Sequence, residues 1–528
     1  MSGLATIYKC ADGTDVPVMW EDEADAQLTW RLDDQHYSAP LKPLDAAAWK
    51  LSLPARERAF SEAGFPLERL RKVLLPQGFV YFTRPTIPDE CIDELIQRCG
   101  GVVPVWEEYC RPSAKEGCAR LQMAGEDTPI AELTDTCFYA FTKTSIAGVV
   151  TNSASSRLSR FLVESFGPES GALTGELTQG YSNATVGASQ ALWEIAQIAA
   201  RSPVLRGLVL TAELSITLDA LAQVEGGTEF RSAFDGFMQS FGWRSEGWEA
   251  ASPTWMEQPA RPLGVIRRMI IDETPSPASA RHGAARRRQK LADDLENRLG
   301  SDPAKRAKFR ELLTQASSHV SIREDRALWQ LIAFGSFRAA LLRRGEKMVR
   351  KGSISETEDI LYLLPEEIDG QDEAVQATFL PTVAERRAQW EKWLHVEPPN
   401  EIGAADTATA TAVASAPTSG DGREIRGIAA SRGVITGPAK VVLELAKGDK
   451  LMPGDILVCK TTSPPWTILF GRALAVVTDT GGVLSHMAIT AREYGIPCVV
   501  GARGATDRIH DGMLITVDGA QGVVHLGA

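Results

Sequence analysis

From Gly403 to about Gly422 the chain reads GAADTATATAVASAPTSGDG, a run of Ala, Thr, Ser, Gly and Asp with one proline and no aromatic residue. Such a segment cannot bury enough apolar surface to offset the entropy of ordering it. A structureless loop of this length inside one compact domain is unusual. The chain is therefore expected to fold as separate bodies, with residues 1–402 and 425–528 joined by a flexible linker at 403–424. A coil of ~20 residues has an r.m.s. span of ~25 Å, and fully extended it reaches ~65 Å.

The texture differs on the two sides of this segment. Residues 425–528 contain short apolar runs separated by turn residues: GVITGPAKVVL, GDILVCK, LAVVTD, PCVVG, MLITVDG and GVVHL. These read as β-strands. HMAITAREYG reads as a short helix ended by Gly495 and Pro497. The result is a compact β/β/α domain. Before the linker, residues 187–223, 284–318 and 323–351 carry apolar residues at three- and four-residue spacing and read as helices. The first 140 residues mix Trp, Pro and short apolar runs and read as α+β. The fold class expected is thus multidomain: a mainly α body with an α+β N-terminal part, plus the C-terminal β/β/α domain.

Composition bounds the function classes. Of 528 residues, 44% are hydrophobic and 23% charged, enough apolar material for large cores. The net charge of −12 argues against a general nucleic-acid binder. The N-terminal sequence lacks the basic and apolar regions of a signal peptide, and no apolar run approaches the ~20 residues that cross a bilayer. A soluble cytoplasmic protein is expected. The eight cysteines form no close CxxC pair, so a zinc site is not expected and the thiols should be free and largely buried. The charged stretch Arg281 to Arg310 reads as a solvated helix face.

The string that carries chemistry is TDTGGVLSHMAITAREYGIPCVVG, residues 478–501. A strand runs into Gly481 and Gly482, which let the backbone approach a ligand closely. Ser485 can cap the following helix. His486 then lies at the helix N-terminus, where unpaired amides and the helix dipole favour an anion. Arg492 is a second candidate phosphate contact. A neutral imidazole nitrogen is nucleophilic near neutral pH, and a phosphoimidazole both accepts and donates phosphoryl groups. His510 and His525 lie outside any such string.

These residues resemble the phosphohistidine swivelling domain of the phosphoenolpyruvate-utilising enzymes. The resemblance covers all of 425–528 and includes GIAASRGVITGPAKVV, GDILVCKTTSPPWTILF and HDGMLITVDGAQGVVHL. It implies that His486 is the phosphorylated residue and that Gly481, Gly482, Ser485 and Arg492 stabilise its phosphate. The form GGVLSH is closest to the branch of rifampicin phosphotransferases and phenylphosphate synthases. Leu484 stands where dikinases carry a regulated threonine, so that regulation is not expected. Met487 is bulkier than the small residue usual after the histidine.

Three strings before the linker resemble the substrate-binding region of the same branch: WRLDDQHYSAPLKPL (30–44), FGWRSEGWEAASPTWMEQP (241–259) and the segment from Arg323 to Ile368. In the second, Trp243 replaces a histidine common in antibiotic phosphotransferases. The parts on offer suit transfer to a hydroxyl. His36 and Asp33 could supply a general base for a phenol of pKa ~10. Arg244 and Arg338 could balance phosphoryl charge, and Trp30, Trp243, Tyr181 and Phe79 could line an aromatic pocket.

No phosphate loop of the P-loop kind is present, and no ATP-grasp domain or phosphoenolpyruvate-binding barrel is recognisable. The expectation is one component of a two-part enzyme. A separate ATP-grasp-type subunit, with ATP and Mg2+, loads His486, and the phosphoryl group passes to a small phenolic hydroxyl. The alternatives are transfer to an antibiotic or other alcohol, and a non-catalytic phosphocarrier or regulatory subunit.

Overall fold

A computed structural model describes the chain except residues 1–4, 11–12, 21, 35, 38, 212–219, 222, 246, 275, 371–377, 405–422, 444, 462–465, 483–484 and 528. The linker expectation falls mostly on 405–422, outside the described residues. The principal helices are α1 (Pro43–Leu51), α2 (Ile130–Phe166), α3 (Ala184–Arg201), α4 (Ala260–Ile271), α5 (Pro277–Arg298), α6 (Pro303–Arg350) and α7 (His486–Tyr494). The protein is mostly helical, with a C-terminal sheet domain. None of its described helices is long and apolar enough to cross a membrane.

The helix ends follow local chemistry. Asn183 caps α3 by accepting the Val186 amide at 2.9 Å. Asp302 accepts the Ala304 and Lys305 amides at the start of α6, and Pro303 occupies its first turn. The sequence reading placed helices at 187–223, 284–318 and 323–351. Pro203 instead starts a new helix after α3, and the turn at 299–302 separates α5 from α6. A proline cannot continue a helix from the preceding turn but suits the first position of the next.

The chain divides into two compact units. The first comprises Met1–Val149, Gly247–Pro253 and Trp329–Ser415; the second comprises Val150–Glu246, Thr254–Leu328 and Ala416–Ala528. In the first unit, β1 (Ala5–Lys9) and β2 (Asp15–Met19) form a hairpin, and β3 (Thr29–Leu32), β4 (Val73–Leu74), β5 (Tyr81–Phe82) and β6 (Glu401–Gly403) form an antiparallel sheet in the order β4-β5-β3-β6. Gly403, placed by the sequence at the start of the linker, is a strand residue. Its φ is +88°, and a Cβ there would lie 2.1 Å from the Leu28 carbonyl oxygen, so only glycine fits. Trp49, Phe82, Phe138, Phe141 and Phe334 pack edge to face beneath α1.

In the second unit, α3 and α4 enclose a core with Phe230, Phe234 and Trp255. The C-terminal sheet has the strands β7 (Glu424–Arg426), β8 (Ile428–Ser431), β9 (Val434–Val441), β10 (Ile456–Cys459), β11 (Ala475–Thr478), β12 (Cys498–Val500), β13 (Leu514–Asp518) and β14 (Val523–Leu526). Their order is β7-β14-β13-β9-β10-β11-β12-β8, with β9 to β12 parallel. The parallel strands ILVC, AVVT and CVV are buried at every position, as expected of a sheet covered on both faces. α7 connects the parallel neighbours β11 and β12.

Candidate functional site

His486 is the first residue of α7, directly beyond the carboxyl end of β11. Ligand sites in α/β sheets lie at the carboxyl ends of parallel strands. The described part of the loop between is held by hydrogen bonds at several residues. The Asp479 and Thr480 amides donate to the Cys459 and Lys460 carbonyls at 3.2 and 3.1 Å. The Thr478 hydroxyl donates to the Thr480 carbonyl at 2.7 Å, and Asp479 accepts the Thr506 amide at 2.9 Å. Ser485 takes extended backbone angles and its hydroxyl accepts from the Ala488 amide, which caps α7.

The two glycines do different work. Gly481 has φ +119°, and a Cβ on it would meet Val500 at 3.2 Å and the Ser485 hydroxyl at 3.4 Å. Gly482 faces open space. One glycine makes the turn; the other has room for a side chain among the described residues. Leu484 lies outside the described residues. Met487, considered for its bulk beside the histidine, is buried in the domain core with Trp466, Phe470 and Ala491.

Arg492 makes contacts that tie α7 to its surroundings. Its guanidinium donates to the Ala430 carbonyl at 2.7 Å, and a Cβ on Gly175 would lie 3.0 Å from its Cζ. Burial holds its pKa down to about 10. It stands six residues along α7 from His486, a rise of ~9 Å. Here it fastens α7 to β8 and to the helical part of the same unit. Neighbouring Glu493 accepts the Gly180 amide at 2.7 Å while its second oxygen is buried without a partner; burial raises its pKa to about 7. Arg472 pairs with Asp272 at 2.8 Å, both nearly fully buried. Arg432 pairs with Glu176 at 3.1 Å. Residues 425–528 are thus docked on the helices of residues 173–298 in this structure.

In the first unit the three N-terminal strings converge. Asp33 and His36 meet: His36 Nδ1 lies 2.8 and 2.9 Å from the two Asp33 oxygens. Burial pushes the Asp33 carboxyl up, but the charge and hydrogen bond of His36, with Arg71 and Arg84, outweigh this and hold it below its usual range. The His36 ring meets the Trp248 ring edge-on, 4.7 Å between centroids. Trp248 Nε1 donates to Gln330 Oε1 at 3.1 Å, and Gln330 donates to Ser145 at 3.2 Å.

The loop 247–253 that presents Trp248 is held from both sides. Asp45 accepts the Ala250 and Ala251 amides at 2.7 and 3.1 Å. Arg338 donates to the Ala250 carbonyl at 3.0 Å and pairs with Glu358. Burial raises the pKa of Asp45 to about 6 and of Glu249 to about 7.

Several expected site residues lie elsewhere. Trp30 and Phe79 belong to a core with Val18, Trp20, Tyr81 and Ile402 rather than to a pocket; Trp30 Nε1 donates to the Asp25 carbonyl at 2.8 Å. Strand alternation turns Trp30 away from the face that carries Asp33. Arg338 is a buried brace for loop 247–253, so its charge is already used. Arg244 is buried and stacks on Trp255 at 3.8 Å, in the second unit, as is half-buried Trp243. Tyr181, also in the second unit, lies under the Arg288 guanidinium at 3.9 Å. Trp248 was missed, although it lies inside the second string, because nothing local shows which of its three tryptophans faces His36.

Residues 451–522 match the family described as PEP-utilising enzyme, mobile domain. Residues 142–324 match the rifampicin phosphotransferase fourth domain. The chain is 30% identical over 372 residues to chondramide synthase cmdD of Chondromyces crocatus, covering 66% of this chain and 10% of that protein. It is 30% identical over 360 residues to the phosphotransferase YvkC of Bacillus subtilis, covering 66% and 43%. It is 30% identical over 358 residues to rifampicin phosphotransferase of Streptomyces sviceus, covering 65% and 40%. The matches span less than half the length of each of these relatives. The chain thus carries, in this order, a segment similar to the rifampicin phosphotransferase fourth domain and one similar to the mobile domain of phosphoenolpyruvate-utilising enzymes, and the histidine loop lies in the second.

Proposed function

We propose that this protein is a phosphotransferase that accepts a phosphoryl group on His486 from a separate ATP-binding subunit and passes it to the hydroxyl of a small phenolic compound. The observation that carries this reading is His486 at the capped start of α7, with open space over Gly482. A helix N-terminus favours the charge of a phosphoryl group. ATP and Mg2+ belong to the partner. The Asp33–His36 pair supports the acceptor half: a carboxylate on Nδ1 fixes the tautomer that leaves Nε2 basic. In the transfer step the acceptor oxygen forms a bond to phosphorus, and its proton passes to His36 Nε2. The P–N bond breaks, and His486, protonated on its other ring nitrogen, leaves as a neutral imidazole.

Labelling the full chain with γ-32P-ATP and the partner tests the proposal. His486→Ala is expected to lose both the label and the aryl phosphate product. Transfer by the Ala variant would sink it. A panel of phenols and aliphatic alcohols separates this acceptor class from an antibiotic or other alcohol.

A further inference from the structure

Two arginines, Arg71 and Arg84, act on the Asp33–His36 pair. β4 and β5 are antiparallel, with Val73 opposite Phe82. The pairing continues one step further, since the Lys72 amide donates to the Thr83 hydroxyl at 3.0 Å and the Thr83 amide to the Lys72 carbonyl at 3.2 Å. Just beyond it on the two segments stand Arg71 and Arg84, and the charge of Arg84 opposes that of Arg71.

Both arginines are exposed at the surface, and neither has a carboxylate within ion-pair distance among the described residues. Arg71 lies over the Phe82 ring at 5.3 Å. Beneath them, buried Arg56 donates to the Arg71 carbonyl and lies over the Trp49 ring at 5.4 Å. Burial, and then the charge of Arg71, hold its pKa down to about 10. Arg71 and Arg84 both act on the Asp33 carboxylate, and both its oxygens are already engaged by His36.

Asp33 continues β3 opposite Val80, its amide donating to the Val80 carbonyl at 2.9 Å. Paired residues share a face and alternate residues of a strand share a face. Asp33, Val80, Phe82, Arg84 and Arg71 therefore lie on one face of the sheet.

We propose that Arg71 and Arg84 form a phosphate subsite, which holds the phosphoryl oxygens of an aryl phosphate beside His36. This rests on the reading that the first unit holds the acceptor. Two guanidinium forks suit the several oxygens of a phosphoryl group, and an anion between them relieves their repulsion. The subsite takes the role that the sequence assigned to Arg244 and Arg338.

The test is direct binding to the full chain, read by calorimetry without turnover, so its failure is separate from failure of transfer through His486. The probes are phenyl phosphate, phenol and benzoate. Wild type is expected to bind phenyl phosphate at least ~10-fold more tightly than phenol, with an affinity that falls as salt rises. Arg71→Gln and Arg84→Gln should each remove about that factor for phenyl phosphate and leave phenol binding intact. Arg58→Gln, which alters an exposed pair with Asp135, is the control for charge and fold. Equal binding of phenol and phenyl phosphate would overturn the subsite, as would Gln variants indistinguishable from wild type. Benzoate bound as tightly as phenyl phosphate would overturn the assignment to phosphoryl oxygens.

Discussion

His36 and Glu493 allow the proposed transfer and the docking of residues 425–528 to be tested separately. If His36 is the general base, His36→Gln should slow loss of label from His486 to acceptor by ~10²-fold or more, measured by quench-flow with pre-labelled protein. An unchanged rate would remove His36 from the chemistry. Glu493 concerns docking. Its pKa is raised to about 7 in the docked arrangement from the ordinary 4.5. A raised carboxyl contributes stability that is full below the lower value and is lost as pH rises through the upper one. Thermal stability of the second unit should therefore fall between pH 5 and pH 8. Asp45 and Glu249, also raised, add the same sign in the first unit, so Glu493→Gln should flatten only part of the slope. A slope identical in the Gln variant would show that Glu493 does not titrate in this range.

At the scale of the element, the loop between β11 and α7 joins strain to access. Gly481→Ala forces a side chain into a left-handed backbone position and against Val500. It should cost ~1–3 kcal/mol, seen as a lower Tm. Gly482→Ala meets no described atom within 4 Å, so it should melt like wild type, yet under the proposed transfer, in which the phosphoryl group approaches over this glycine, it should accept phosphate more slowly. Equal effects of the two on stability would contradict the division of labour. The loop was legible in the sequence because a strand, two glycines, a capping serine and a helix are all local signals. The first-unit sheet was less so: its strands are two to four residues long and draw partners from positions 30 and 402, which no periodicity links.

For the whole molecule, a buried ion pair, Arg472–Asp272, is one of the contacts that dock residues 425–528. Removing one partner of a buried pair leaves the other charge desolvated and costs ~3–5 kcal/mol. Asp272→Ala should therefore weaken docking without unfolding the sheet. Hydrogen exchange in α7 and in Gly180 should rise, while β10 and β11 stay protected. Protection of α7 equal to wild type would mean that the pair does not hold the domain. The expected division at 403–424 was read from composition, which reports where a chain cannot pack. It carries no information on which helices the domain beyond it packs against.

His486, the capping serine, the glycine pair and the succession of strands in 425–528 were determined by the sequence itself, because each depends on neighbours within a few residues. The Asp33–His36 pair was legible for the same reason. Only the tertiary structure decided that Trp248 meets His36, that Arg338 braces the loop bearing it, that Trp30 and Phe79 are core, and that Arg71 and Arg84 both stand near Asp33. Those outcomes follow from pairings between residues far apart in the chain. A side chain's charge or aromatic ring is written in the sequence; what it faces is settled by which strands and helices close around it.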